Sequence, residues 1–165
     1  MTVAPIQILL LLKQEIEYVI KRIMVATDGS ESATRAVKVA IYWARKFNAR
    51  LIALHVITIP PTAVAGFSPR YATPLREYLA SARKEGQKIV DEVVKSAKTE
   101  GVKVTPLIPG YSFSVVETIV KEASLNSIDL IVIGTRGLTP FKKLLIGSVS
   151  SGVLHHSDCP VLMVR

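Results

Sequence analysis

A chain of 165 residues that is 49% hydrophobic and 21% charged can bury one substantial core, and its composition excludes a disordered or fibrous protein. Lys and Arg number 21 against 13 acids, for a net charge of +8 that attracts polyanions such as nucleotides, nucleic acid or an anionic membrane surface. The basic residues are scattered and never form a run of five or six, so they read as a solvated surface, and a nucleic-acid partner is not expected.

Val3 to Leu12 is an apolar stretch of ten residues, well short of the roughly 20 that span a bilayer. Lys13 and Glu15 follow this run, where a secretory signal would carry its positive charge before it. Ile6, Leu9, Leu10, Lys13, Ile16, Glu17 and Ile20 suggest an amphipathic helix without the basic face of a membrane-surface helix. Residues 1–20 are expected to be a helical extension, either covering a neighbour or being only an upstream start of the reading frame, with packing onto a partner subunit the preferred reading, followed by a domain over 21–165. With Cys159 as its one cysteine, the chain forms no internal disulfide, and a cytoplasmic location is expected.

Arg22 to Thr27 is a short apolar run closed by the turn residues Asp28, Gly29 and Ser30, which predicts a buried first strand. Ala33, Val37, Ala40, Ile41, Ala44 and Phe47 recur at helical spacing behind a Ser30 cap. Leu51 to Val56 is a second strand, and Thr58 to Pro74, with four prolines and a glycine, is a long loop. Leu75, Leu79, Ala82, Ile89, Val93 and Ala97 line a helix closed by Gly101; Val102 to Leu107 is a third strand ended by Pro106 and Pro109. Ser114 and Glu117 form a capping box for a helix running towards Asn126. Asp129 to Gly134 is the most continuously apolar strand, as suits the centre of a parallel sheet, and Pro160 to Val164 is the last.

This alternation predicts a single α/β domain: a doubly wound, five-stranded parallel sheet of order 3-2-1-4-5 with helices on both faces. Such sheets bind ligands at the carboxyl ends of strands where the winding reverses, here between strands one and four, at Asp28 and Gly134. After strand four come Gly134 and Gly137, then nine residues, then Gly147-Ser148-Val149-Ser150 opening an apolar helix. Glycines let main-chain N–H groups approach an anion, and a helix start favours negative charge, so this is a candidate phosphate site to which Ser148 and Ser150 can add hydroxyl donors. Taken singly, each glycine is an ordinary turn residue and Gly147-Ser148 an N-cap.

The Gly-x2-Gly-x9-Gly-Ser spacing resembles the ATP-binding signature of the universal stress protein family. Arg22 to Glu31 resembles the family's opening strand, Leu54-His55-Val56 the end of its second, and Cys159 to Val164 its last, so the resemblance covers about residues 21–165. It implies that Ala26, Thr27, Asp28 and Val56 surround adenine and ribose, with the Asp28 carboxylate accepting a ribose hydroxyl. It further implies that Gly134, Arg136, Gly137, Gly147, Ser148, Val149 and Ser150 hold the phosphates of ATP, accompanied by Mg2+, in a homodimer paired through the C-terminal strand. As an isolated apolar edge, Val161 to Val164 would be an aggregation hazard, which also points to pairing.

Other readings fit less well. Strand three runs into Pro106-Leu107-Ile108-Pro109, where a response-regulator receiver needs an acid. The turn after strand one has one glycine and no G-x-G-x-x-G, and no G-x-x-x-x-G-K-[ST] occurs. Asp28 and Glu31 are the only acids near the crevice, so slow ATP hydrolysis is the upper bound and no catalytic or metal-ligating residue is assigned. His155 and His156 are expected to interact with a helix dipole and not with a metal. The remaining alternative is a non-nucleotide scaffold or a basic nucleic-acid-associated module of the same fold.

Overall fold

The computed structural model describes residues 19–59, 69–137 and 146–165, and for 69–73 the backbone alone. Its elements are β1 (Arg22–Ala26), α1 (Glu31–Phe47), β2 (Arg50–Leu54), α2 (Pro69–Thr99), β3 (Val104–Leu107), α3 (Val115–Leu125), β4 (Leu130–Gly134), α4 (Ser148–His156) and β5 (Val161–Val164). The strands form one sheet of order β3-β2-β1-β4-β5, every pair parallel, as the alternation of elements predicts.

Each strand sends alternate residues to opposite faces, so the continuously apolar β1, β2 and β4 feed two cores. Ile23, Val25, Leu51, Ala53 and Val132 point to the side covered by α1 and α2, which contribute Ala36, Ala40, Ala44, Val90, Val93 and Ala97. Met24, Ile52, Leu54, Ile131 and Ile133 point to the other side, covered by Ile119 and Ala123 of α3 and Val153 of α4. The chain therefore has both faces of one sheet occupied, which fixes the strand ends as the open sites.

The helix limits have local causes. Ser30 accepts the Ala33 N–H at 3.2 Å and starts α1, and Asn48 in the left-handed region (φ 51°) stops it. Ser114 accepts the Glu117 N–H at 3.2 Å and starts α3. Gly101 (φ 73°) closes α2, with Val102 N–H donating to Ala97 O at 2.9 Å.

Two expectations are corrected. The segment expected to be loop through Pro74 is already helical from Pro69, with Pro74 inside the helix. A proline near the start of a helix forgoes one N–H bond to the preceding turn, and a long helix absorbs that loss. Pro106 does not end β3 but pairs within it, opposite Ala53. Leu51 N–H donates to Lys103 O and His55 N–H to Leu107 O, so the odd-numbered residues bond to β2. The missing amide of Pro106 thus faces the outer edge of the sheet, where nothing in the ladder needs it. The expected N-terminal helix lies outside the described residues up to position 18, as do Lys142, Lys143 and most of the insert between Gly137 and Gly147.

Candidate functional site

The carboxyl ends of β1 and β4 lie side by side, and a polar turn leaves each. After β1, Thr27 N–H extends the ladder to Leu54 O at 2.9 Å, while Thr27 O accepts from His55 Nδ1 at 2.9 Å. Asp28 Oδ1 accepts the Ser30 N–H at 3.0 Å, an Asx-type turn that orients the carboxylate. Gly29 has φ 78°, the left-handed region an L side chain avoids, and its Cα faces the Ile89 side chain of α2. The turn is therefore fixed by backbone conformation as well as by Asp28.

Two buried serines join this turn to the one after β4. The Ser30 hydroxyl lies 3.5 Å from Arg136 O. Ser32 Oγ donates to Val164 O of β5 at 3.2 Å and accepts the Arg136 N–H at 3.4 Å. Gly134 is packed so tightly against the start of α1 that a Cβ there would lie 2.7 Å from Ser32 Oγ and 2.9 Å from Ala33 N. A side chain at 134 would push strand and helix apart, so this glycine is required by packing before any ligand is considered. A Cβ at Gly137 would lie 2.8 Å from Asp28 Oδ2, which puts the two turns in direct contact at the crevice.

The start of α4 closes the other side. Gly147, its N-cap at φ −73° and ψ 158°, donates its N–H to Thr135 O at 2.7 Å, and the first intrahelical bond runs from Ser151 N–H to Gly147 O at 3.0 Å. The N–H groups of Ser148, Val149 and Ser150 precede that bond and form the helix-start donor set. Ser150 is 2% exposed, and its hydroxyl lies 3.0 Å from Gly147 O and 3.4 Å from Thr135 O. Its side chain thus holds the β4 turn to the helix and does not project outward as the hydroxyl donor expected from sequence; Ser148 is exposed. The Gly147 N–H is likewise spent on Thr135.

The structure thus links Thr27, Asp28, Gly134, Arg136, Gly137, Gly147 and Ser150 through short contacts around one crevice. Val56 and Val149 are half-buried against the second core beside it. Ala26 is 7% exposed, with its side chain in that core, so it can offer a ligand little more than floor. Arg136 is exposed at the rim. An open concavity of about 830 Å³ begins at Gly147 and Ser148 and follows α4 to His155 and His156, without Asp28 or Arg136 in its lining. The crevice at the strand ends, and not this concavity, is where the two turns and the helix start converge.

Sequence reasoning missed Ser32, Thr135 and His55. A serine two positions after the cap carries no local signal, and the role of Thr135 is exercised by its carbonyl. His55 is wedged against α2, where a Cβ on Gly86 would come 2.5 Å from its Cδ2. The spacing between a histidine and a glycine 31 residues on encodes no such contact.

The universal stress protein family model matches residues 20–165. The chain belongs to that family. A universal stress protein of Methanocaldococcus jannaschii is 35% identical over 150 residues, covering 90% of this chain and 84% of the relative. The solved structure of a universal stress protein from Lactobacillus plantarum superposes with a TM-score of 0.78 at 26% identity, over 88% of this chain and 97% of that one. A universal stress protein solved in complex with cAMP has a TM-score of 0.62 at 26% identity, over 89% and 98%. No helix among the described residues is long and apolar enough to cross a membrane.

Proposed function

We propose that this universal stress protein binds an adenine nucleotide, ATP, in the crevice between β1 and β4, and acts as a dimeric nucleotide-dependent switch with at most slow hydrolysis. The observation that carries the reading is the approach of Gly137 to within 2.8 Å, measured from a virtual Cβ, of the Asp28 carboxylate. In this reading that contact brings the proposed ribose acceptor beside the turn after β4, to which the Gly147–Thr135 bond also ties a helix start suited to phosphate. The complex of a relative with cAMP supports the adenine and ribose part of the assignment.

In this reading Asp28 accepts a ribose hydroxyl, with Thr27 and Val56 beside the base. The N–H groups of Ser148, Val149 and Ser150 meet the phosphates, and Arg136 swings in from the rim as a charged clamp. Gly134 and Gly147 contribute by letting backbones approach. The described residues contain no cluster of three or more His, Cys, Asp or Glu that could hold a metal. Mg2+ would then be carried in on the ATP phosphates, in keeping with how this ion is usually held. That donor set is too sparse for fast phosphoryl transfer.

β5 is an edge strand among the described residues, and Val161 to Val164 are all half-buried. Pairing of two such edges across a twofold axis would cover them.

The test is calorimetric titration of the full chain with ATP, AMP, cAMP and GTP, each with and without Mg2+, beside duplex DNA at several salt concentrations. Saturable ATP binding that salt weakens little supports the reading. Absence of nucleotide binding together with DNA binding that falls steeply with salt would replace it with a nucleic-acid module.

A further inference from the structure

At the opposite end of the molecule α1 carries an aromatic group that the crevice does not use. The rings of Tyr42 and Trp43 meet edge to face at 5.4 Å, and those of Trp43 and Phe47 stack at 5.2 Å. Tyr42 is 51% and Phe47 41% exposed, while Trp43 is half-buried against the first core. Three large contiguous rings are thus left partly in water.

Their location follows from the helix. Trp43 stands eleven residues after Ser32, close to three full turns, so the two share a flank. Ser32 Oγ donates to Val164 O and Arg35 Nε to Arg165 O, whereas the other flank carries Arg45, paired with Glu100 at the end of α2 at 2.8 Å. The aromatic ledge therefore overhangs the β4–β5 side, at the level where strands begin.

The chain enters the domain at this same place. Lys21 and Arg22 N–H both donate to Asp129 Oδ2, at 2.8 Å each, just before β4. Ile20 packs into the first core, the cluster that also holds Trp43, and Val19 is 52% exposed. Ile20 is also the last position of the apolar stripe that starts at Ile6. The segment before it contains the run Leu9 to Leu12 and, on the same stripe, Glu17, while the ledge carries the exposed Lys46 beside Phe47.

We infer that residues 1–18 fold back over the Tyr42, Trp43 and Phe47 ledge of their own chain, with Leu9 and Leu10 seated on the rings. Eighteen residues in helical form reach about 27 Å, ample for a ledge that spans little more than one turn of α1. Because Ile20 is anchored beside the ledge, docking is intramolecular at high effective concentration, which favours the chain's own segment over that of a second copy.

Trp43 is the single tryptophan of the chain, so its fluorescence reports on the ledge alone. In the full chain, the double variant Leu9→Glu, Leu10→Glu is expected to shift Trp43 emission to the red. Its acrylamide quenching constant should rise about twofold or more, since the part of the ring that the core and Phe47 leave open would lose its cover. Glu15→Gln, on the opposite side of the stripe, should change neither. In the unsubstituted protein the protection should hold on dilution from about 100 μM to about 0.1 μM, as an intramolecular contact must. Emission and quenching unchanged in the double variant would overturn the inference. Protection that disappears on dilution would overturn it in favour of a second copy. Should the double variant precipitate, the milder Leu9→Ser, Leu10→Ser variant decides: the same red shift and rise in quenching support the inference, and emission and quenching unchanged from the parent overturn it.

Discussion

Replacing Gly137 by Ala tests the proposed site with the least disturbance to the fold. The added Cβ would stand 2.8 Å from Asp28 Oδ2, about 0.6 Å inside the 3.4 Å at which contact becomes ordinary, and among the described residues the next nearest atom is Asp28 Cγ at 4.0 Å. What must move is the end of one side chain, not backbone. Gly137 is not among the glycines with positive φ, so Ala carries no left-handed strain, and it stiffens the unfolded chain by about 0.4 to 1 kcal/mol. Against this, swinging the carboxylate away weakens its 3.0 Å bond from Ser30 N–H, at about 0.5 to 1.5 kcal/mol. The two nearly cancel, and the melting temperature should stay within about 4 °C of the parent. Binding has no such compensation. A displaced Asp28 loses a charge-assisted hydrogen bond to ribose of about 1.5 to 3 kcal/mol, or about 10- to 100-fold in Kd. Calorimetry should show this loss equally for ATP and adenosine, because the ribose is common to both. A Gly137→Ala protein with the parent's melting curve and the parent's ATP affinity would refute Asp28 as the ribose acceptor.

Gly147→Val should act on the other end of the ligand. With φ −73° it meets no left-handed strain, but its Cβ would lie 3.1 Å from Thr135 O, so a folding cost of about 1 to 3 kcal/mol is expected with cooperative melting retained. Calorimetry should find ATP weakened at least about tenfold and adenosine less, and equal losses for the two would contradict the phosphate assignment. Gly134→Ala should damage folding first: its Cβ would meet the backbone of Ser32 at 2.8 Å and of Ala33 at 2.9 Å, and a loss of about 3 kcal/mol would lower the melting temperature by about 6 to 12 °C. An unchanged melt would show that α1 can retreat from β4 freely. Light scattering should give a mass twice the 18.0 kDa of one chain, and a well-behaved monomer would remove the β5 pairing.

Strand order and the position of the crevice were legible in the sequence because they follow from one-dimensional signals. Continuous apolar runs at Ile131 to Ile133 and Ile23 to Ala26 demand burial on both faces, and parallel crossovers then leave few topologies. Prolines misled because their effect depends on which way the absent N–H would have pointed. At Pro106 it points off the sheet edge, and at Pro74 a long helix absorbs the loss. No spacing rule reports either direction. The glycines show the same limit at the site. Gly134 and Gly147 look alike in the motif, yet one abuts the backbone of a helix more than 100 residues away in sequence and the other the turn after β4.

The pairing of Ser30 and Ser32 shows why only some positions can separate folding from binding here. Ser30 caps α1 and lies against Arg136 O; Ser32 joins the Arg136 N–H to Val164 O. Each is buried, and each ties together elements that the sheet alone leaves as separate strand ends. Removing either hydroxyl leaves unmet polar groups in the interior, at about 1 to 3 kcal/mol, and at the same time loosens the turn that carries Arg136 and Gly137. A loss of nucleotide binding at these serines would therefore report on the scaffold. Among the described residues, a Cβ at Gly137 would meet Asp28 alone, and one at Gly147 the turn at Thr135 and Arg136 with Ser150, so the case for a nucleotide site rests on the glycines.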